Sequence, residues 1–203
     1  TGNLLRTFND PTVTNSDGFG VSVALDGNKV LIGANGDDTR GNFVGQAHLF
    51  DAMTGNLLRT FNDPTVTETD GFGWSVALDG NKVLIGATGD DTNGTQVGQA
   101  HLFDAVTGNL LRTFNDPTPT PIGRFGDSFG DSVALDGNHV LIGAKNDNTL
   151  GEDVGQAHLF DAVTGNLLWT FNDPTVTGRD RFGDSVALDG SDVLVWAADD
   201  DSV

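Results

Sequence analysis

Apolar residues occur along this chain in short runs separated by polar, turn-forming stretches. In the first repeat of the pattern the runs are Asn3–Phe8 (NLLRTF), Phe19–Leu25 (FGVSVAL), Lys29–Ala34 (KVLIGA) and Gln46–Asp51 (QAHLFD). Each is rich in Val, Ile, Leu, Phe or Thr and is bounded by Gly, Asn, Asp or Pro, which is the chemistry of strands. No segment keeps a helical apolar period over three turns, so the pattern predicts an all-β chain. Asp26-Gly27-Asn28 predicts a tight hairpin between the second and third runs, and Ala52-Met53-Thr54-Gly55 a second short turn. Asn9–Gly18, which contains Pro11, and Asn35–Val44 read as long loops. Val21, Val23 and Leu25 alternate with Ser22 and Ala24, so both faces are apolar or small and both are expected to be packed.

The same order of runs returns along the chain. TGNLL begins at Thr1, Thr54, Thr107 and Thr164, with spacings of 53, 53 and 57 residues, which sets repeats at 1–53, 54–106, 107–163 and 164–203. The first two copies differ only at positions 15, 16, 21, 35, 40, 42, 43 and 53. Four antiparallel strands per repeat of this length predict the blades of a single β-propeller over 1–203, or of a fragment of one. Let A begin at Phe19, B at Lys29, C at Gln46 and D at Asn56, counted from the inner to the outer strand. The chain then reads as one D, three complete A-B-C-D series and a final A-B. That makes 15 strands, with the last blade incomplete. Residues upstream of Thr1, or another chain, are expected to supply what ring closure needs.

The residues that recur resemble a known family. Phe19-Gly20-x-Ser22-Val23-Ala24-Leu25, then Leu31-Ile32-Gly33-Ala34, then Gly45-Gln46-Ala47-His48-Leu49-Phe50 is similar to the FG-GAP repeat, the blade unit of the integrin α-subunit head and of many bacterial surface proteins. Phe72-Gly73-Trp74-Ser75-Val76, Phe129-Gly130-Asp131-Ser132-Val133 and Phe182-Gly183-Asp184-Ser185-Val186 repeat its opening. The resemblance implies a propeller, an extracellular or cell-surface location and a binding or adhesion role. Integrin-like blades hold calcium in a D-x-D-x-D-G loop between strands A and B. Here that connection is only Asp26-Gly27-Asn28, Asp79-Gly80-Asn81 or Asp136-Gly137-Asn138, too short to wrap a cation. Gly20 and Gly33 are expected where a side chain would strike the neighbouring blade.

Composition narrows the chemistry. Of 203 residues, 29 are acidic and 10 are Lys or Arg, a formal charge of −19. Phosphate affinity comes from clustered cations, so nucleic-acid binding is excluded, and the same charge argues against anionic membranes. The chain has no cysteine, which excludes disulfides, thiolate metal sites and a cysteine nucleophile. No apolar run reaches the roughly 18 residues of a membrane helix.

Strand alternation places the B–C and D–A loops together on one face, and seven of the eight differences between the first two copies fall in or beside them. The third copy's extra residues, within Pro119–Phe125, fall there too. A rigid scaffold with one variable loop face points to a binding surface. Asp37, Asp38, Asp90, Asp91, Asp147, Asp199 and Asp200 on this face are candidate Ca²⁺ ligands, carboxylates being hard oxygen donors. The alternative is a solvated acidic rim that keeps a repetitive β-protein soluble. The D–A loops add Asp10, Asp17, Asp63, Asp70, Asp116, Asp173 and Asp180.

Trp74, Arg124 and Phe125 are the candidate ligand-binding residues, and an exposed Trp74 could stack on a sugar ring. His48, His101 and His158 are expected to pack between blades with one hydrogen bond each, and Trp196 to lie in the core. The blades are too alike to isolate one acid–base–nucleophile constellation, so no catalytic residue is assigned. The sequence therefore points to a non-catalytic binding or adhesion module that presents an acidic loop face to a protein or glycan. A lectin-like propeller, and a hydrolase or lyase on the same scaffold, are the alternatives.

Overall fold

The computed structural model describes residues 2–120 and 126–200. Its strands fall where the apolar runs do. The first sheet contains β1 (Phe19–Asp26), β2 (Lys29–Ala34), β3 (Gln46–Asp51) and β4 (Leu57–Asn62). The second contains β5 (Phe72–Asp79), β6 (Lys82–Ala87), β7 (Gln99–Asp104) and β8 (Leu110–Asn115). The third contains β9 (Phe129–Asp136), β10 (His139–Ala144), β11 (Gln156–Asp161) and β12 (Leu167–Asn172). β13 (Phe182–Asp189) and β14 (Asp192–Ala197) form a two-stranded sheet. Within every sheet the strands pair in sequence order and antiparallel. These are propeller blades, complete in three cases and half-built in the last.

One expected strand is not formed. Residues 3–8 have no ladder partner, so the described residues hold 14 strands. The segment nevertheless sits where an outer strand belongs. Phe8 packs against Phe50 with ring centroids 5.3 Å apart, as Phe61 packs on Phe103 (5.2 Å) and Phe114 on Phe160 (5.1 Å). Arg6 donates to the carbonyls of Met53 and Thr54, as Arg59 does to Val106 and Arg112 to Val163. Side chains dock this segment on the first blade, but no C strand lies beside it to accept its backbone hydrogen bonds.

The core lies between blades rather than inside any one of them. β1 packs on β5, β5 on β9 and β9 on β13. Leu31, Ala47 and Leu49 of the first blade meet Val76, Val83, Ile85 and Phe103 of the second. Leu84, Ala100 and Leu102 then meet Phe129, Val140, Ile142 and Phe160 of the third. Close approach of the inner strands requires glycine. A methyl group on Gly33, Gly86 or Gly143 would overlap the carbonyl oxygen of Gly73, Gly130 or Gly183 on the following blade. Gly20 has open space at its Cβ position, and its requirement is a φ of +92°. Each inner pair carries a register shift beside that glycine.

The A–B turns tie the blades together on the opposite face from the long loops. Asp26 accepts a hydrogen bond from Gly80 N (2.7 Å), and Lys29 Nζ donates to Gly80 O (2.7 Å) and Asn81 Oδ1 (2.8 Å). The aspartate that an A–B calcium loop would need is thus spent on the neighbouring blade.

The sheets do not close into a ring among the described residues. The outer face of β1 is exposed at Val23 (66%) and Leu25 (69%), and β14 is exposed at Leu194 (70%) and Trp196 (60%). Trp196 is therefore not in the core. It occupies the repeat position of Gly86, on the face that a following blade would cover.

Candidate functional site

The D–A loops are built from side chains that take the place of backbone partners. Asp10, Asp63, Asp116 and Asp173 each accept the N–H of the threonine two residues on, at 2.7–2.9 Å. A second aspartate closes the loop: Asp17, Asp70 and Asp180 accept from Thr14, Thr67 and Thr177. In the third repeat Thr120 N donates to Asp127 at 2.6 Å, so the two anchors of this loop keep their roles. Arg124 and Phe125 fall inside that insertion and lie outside the described residues.

The candidate cation ligands separate into two sets. Asp37, Asp90 and Asp147 are fully buried and point between blades. Asp38 and Asp91 instead accept the backbone N–H of Phe43 (2.7 Å) and Gln96 (2.6 Å), holding the B–C loop in shape. Asp199 pairs with Arg181 at 3.1 Å, and Asp200 accepts from Thr175 at 3.5 Å.

The buried set meets residues that were not grouped with it in the sequence. Asp90 lies with Asp63 and His101, each offering one ligand atom, and these atoms are all within 4.8 Å of one another. Asp116, Asp127 and Asp147 form a similar group, with His158 Nε2 4.0 Å from Asp116. Asp37 lies near Asp10 and His48 in the first blade, where His48 Nε2 is 4.0 Å from Asp10. The histidines pack as expected, wholly buried, with Nδ1 at 3.1 Å from Thr60, Thr113 or Thr170.

Burial dominates the acid–base character of these pockets. It pushes Asp63 up to about 6, helped by Asp70 and Asp90, and Asp147 up to about 6. Asp116 rises to about 7, with Asp147 and Asp127 adding repulsion. His101 and His158 are pushed down to about 4 for the same reason, which leaves both neutral at pH 7. One signal for this grouping is visible in the chain. The string Asn-Asp-Pro-Thr precedes every A strand, and Gln-Ala-His recurs in every C strand.

Trp74 occupies a different place. It sits at the register shift of β5, 41% exposed, beside a cavity of about 320 Å³ also lined by Gln96, Ser128, Asp131, Lys145 and Asn146. Lys145 Nζ lies 2.9 Å from Asp131 and 3.0 Å from Asp184, so it bridges the third and fourth blades. Burial raises Asp131, while hydrogen bonds from Lys145 and from the Trp74 side chain oppose the rise. Trp74, Asp131 and Asp184 are one repeat position, which is Val21 in the first copy. Lys145 is likewise the counterpart of Asn35 and Thr88. The cavity therefore forms at positions where the repeat is broken.

Three inter-packed antiparallel blades and a partial fourth define a protein of the β-propeller class. Within that class, the FG-GAP repeat matches at residues 12–50, 65–103 and 123–160, more than half of the sequence. The chain belongs to the FG-GAP repeat family. No curated protein matches it in sequence.

Among solved structures it is similar to the computationally designed Ika4 protein, with 18% identity and a TM-score of 0.57, covering 97% of this chain and 99% of that one. The computationally designed Ika8 protein is 19% identical with a TM-score of 0.55, covering 88% of this chain and 43% of Ika8. BamB from Moraxella catarrhalis is 20% identical with a TM-score of 0.47, covering 82% and 41% of the two chains. For the two designed proteins, at these identities, the likeness is one of fold.

Proposed function

We propose that the chain is a non-catalytic binding module of the adhesion type, acting outside the cell or at its surface, whose ligand docks on the B–C/D–A loop face at the Trp74 cavity. The observation that carries this reading is the convergence of repeat-breaking residues. Trp74, Asp131 and Lys145 each depart from the first copy, and all three line one cavity. The loop anchors Asp10, Asp63, Asp116 and Asp173 and the buried His48, His101 and His158, by contrast, recur from blade to blade. A half-exposed indole beside a carboxylate and an ammonium offers an apolar platform flanked by hydrogen-bonding groups, a combination suited to the ring face and hydroxyls of a sugar. A glycan is therefore the favoured ligand, with a protein surface second.

Glycan-array binding, followed by titration of the hits against tryptophan fluorescence, tests the reading. Trp74→Ala is expected to lower affinity at least tenfold while the melting temperature stays within about 3 °C, because the ring is partly exposed and contributes little to the core. Binding unaffected by Trp74→Ala would remove the cavity from the account. Turnover of a bound glycan would move the protein to the hydrolase or lyase class.

A further inference from the structure

The buried pockets between blades show an imbalance that packing alone does not explain. Around Thr65 Oγ1 stand three acceptors: Asp63 Oδ1 at 3.1 Å, Asp90 Oδ2 at 2.9 Å and Gln99 Oε1 at 3.2 Å. One hydroxyl proton serves only one of them. The amide of Gln99 is committed to this orientation, because its Nε2 donates to Asn115 at 2.7 Å. Asp63 Oδ2 and His101 Nε2 have no hydrogen-bond partner, although both residues are buried. His101 Nε2 is 3.9 Å from Asp63 Oδ1, beyond hydrogen-bond range. An orphaned buried acceptor is destabilising, and more so when charged.

The arrangement recurs. Thr12 Oγ1 faces Asp10, Asp37 and Gln46, with Asp10 Oδ2 and His48 Nε2 unpartnered. Thr118 Oγ1 faces Asp116 and Gln156, with Asp116 Oδ2, Asp147 Oδ2 and His158 Nε2 unpartnered.

We propose that two of these pockets are binding sites for a divalent first-row transition ion of the Zn²⁺ or Mn²⁺ kind: that of Asp63, Asp90 and His101 between the first and second blades, and that of Asp116, Asp127 and Asp147, with His158 beside Asp116, between the second and third. A cation supplies the positive charge that a donor-poor pocket lacks, and it binds the nitrogen and oxygen atoms left without partners. The imidazole decides the class of ion. Ca²⁺ takes an all-oxygen shell, whereas one nitrogen with two carboxylates suits Zn²⁺, Mn²⁺ or Fe²⁺.

Geometry allows it. Metal–donor distances of about 2.0–2.2 Å place ligand atoms at most about 4.4 Å apart, so Asp63, Asp90 and His101, whose ligand atoms all lie within 4.8 Å of one another, need to close by only tenths of an ångström. The outer groups are already fixed: Thr113 holds His101 Nδ1, Thr65 N holds Asp63 Oδ1 and Thr92 N holds Asp90 Oδ1. The three ligands of the first pocket come from both sides of a blade junction, so the ion would clamp β7 to the loop that leaves β4.

Equilibrium dialysis of the whole chain at pH 7.5, after EDTA treatment and removal of the chelator, tests the proposal with Zn²⁺, Mn²⁺ and Ca²⁺ read by elemental analysis. The expected result is two tightly held Zn²⁺ or Mn²⁺ ions per chain, a melting temperature raised by several degrees, and no displacement by a hundredfold excess of Ca²⁺. His101→Gln is expected to lose one ion and the His101→Gln/His158→Gln variant both. Nitrogen NMR of the wild-type imidazoles gives the same answer without a variant, since Nε2 of His101 and His158 should shift on adding Zn²⁺. Absence of transition-metal binding, binding undiminished in the double variant, Ca²⁺ displacing the ions, or unmoved Nε2 resonances would each overturn it. Because Trp74 is in neither pocket, the glycan test stands or falls separately.

Discussion

Gly86 shows how closely single residues are specified. Its Cα faces the Gly130 carbonyl of the next blade, and a methyl group there would overlap that oxygen. Backbone cannot move aside as a flexible side chain can, so Gly86→Ala should cost about 1–3 kcal/mol, the usual range for overpacking. At roughly 2–4 °C per kcal/mol for a protein of this size, thermal unfolding should show a clear drop. A loss under about 0.5 kcal/mol, typical of surface changes, would mean that the blades are less tightly seated.

This glycine was legible in the sequence, because a glycine amid Val, Leu and Ile in a strand marks a close approach. Burial of the three histidines was legible too. What each Nε2 faces was not, since Asp63 lies in the loop of the preceding repeat and meets His101 only after two blades stack. The exposure of Trp196 was not legible for a related reason. Its residue type favours burial, but burial depends on a neighbour that its strand does not have among the described residues.

At the scale of elements, strand positions followed from apolar alternation and turn residues, because a strand packed on both faces must be apolar or small throughout. β1 to β14 begin and end within about two residues of the runs that predicted them. Asn3–Phe8 is the exception. Its composition equals that of β4, yet strand structure is a property of pairs, and composition cannot show whether a partner is present. Amide hydrogen exchange should separate the two. Residues 57–62, paired with β3, are expected to be protected at least a hundredfold more than residues 3–8, which are held by Phe8 and Arg6 side chains alone. Equal protection would mean that the amino-terminal segment finds a backbone partner in solution.

For the molecule as a whole, the net charge of −19 is repeated blade by blade and gathers in loops on one side. Many of those carboxylates are committed to threonine and backbone N–H groups, so they shape the loops as well as charge them. Their mutual repulsion remains long-ranged at low salt, where the Debye length is about 30 Å at 0.01 M, and is nearly gone at 1 M, where it is about 3 Å. Raising NaCl from 10 mM to 500 mM, with chelator present, should therefore raise the melting temperature by a few degrees. A flat or falling profile would show that the surface lysines and arginines already balance the field locally.

The contact between inner strands is the same at each junction: Gly33 to Gly73, Gly86 to Gly130 and Gly143 to Gly183. The turn contact repeats too, from Asp26 to Gly80, Asp79 to Gly137 and Asp136 to Gly190. Unequal recombination that inserts or deletes one whole TGNLL-to-TGNLL segment leaves every surviving joint with a partner of the kind it had before. Ancestry can thus lengthen or shorten such an arc without inventing a new contact, while a change inside a joint must be matched on both of its sides. Copy number is the freely inherited variable, and the angle between neighbours is the guarded one.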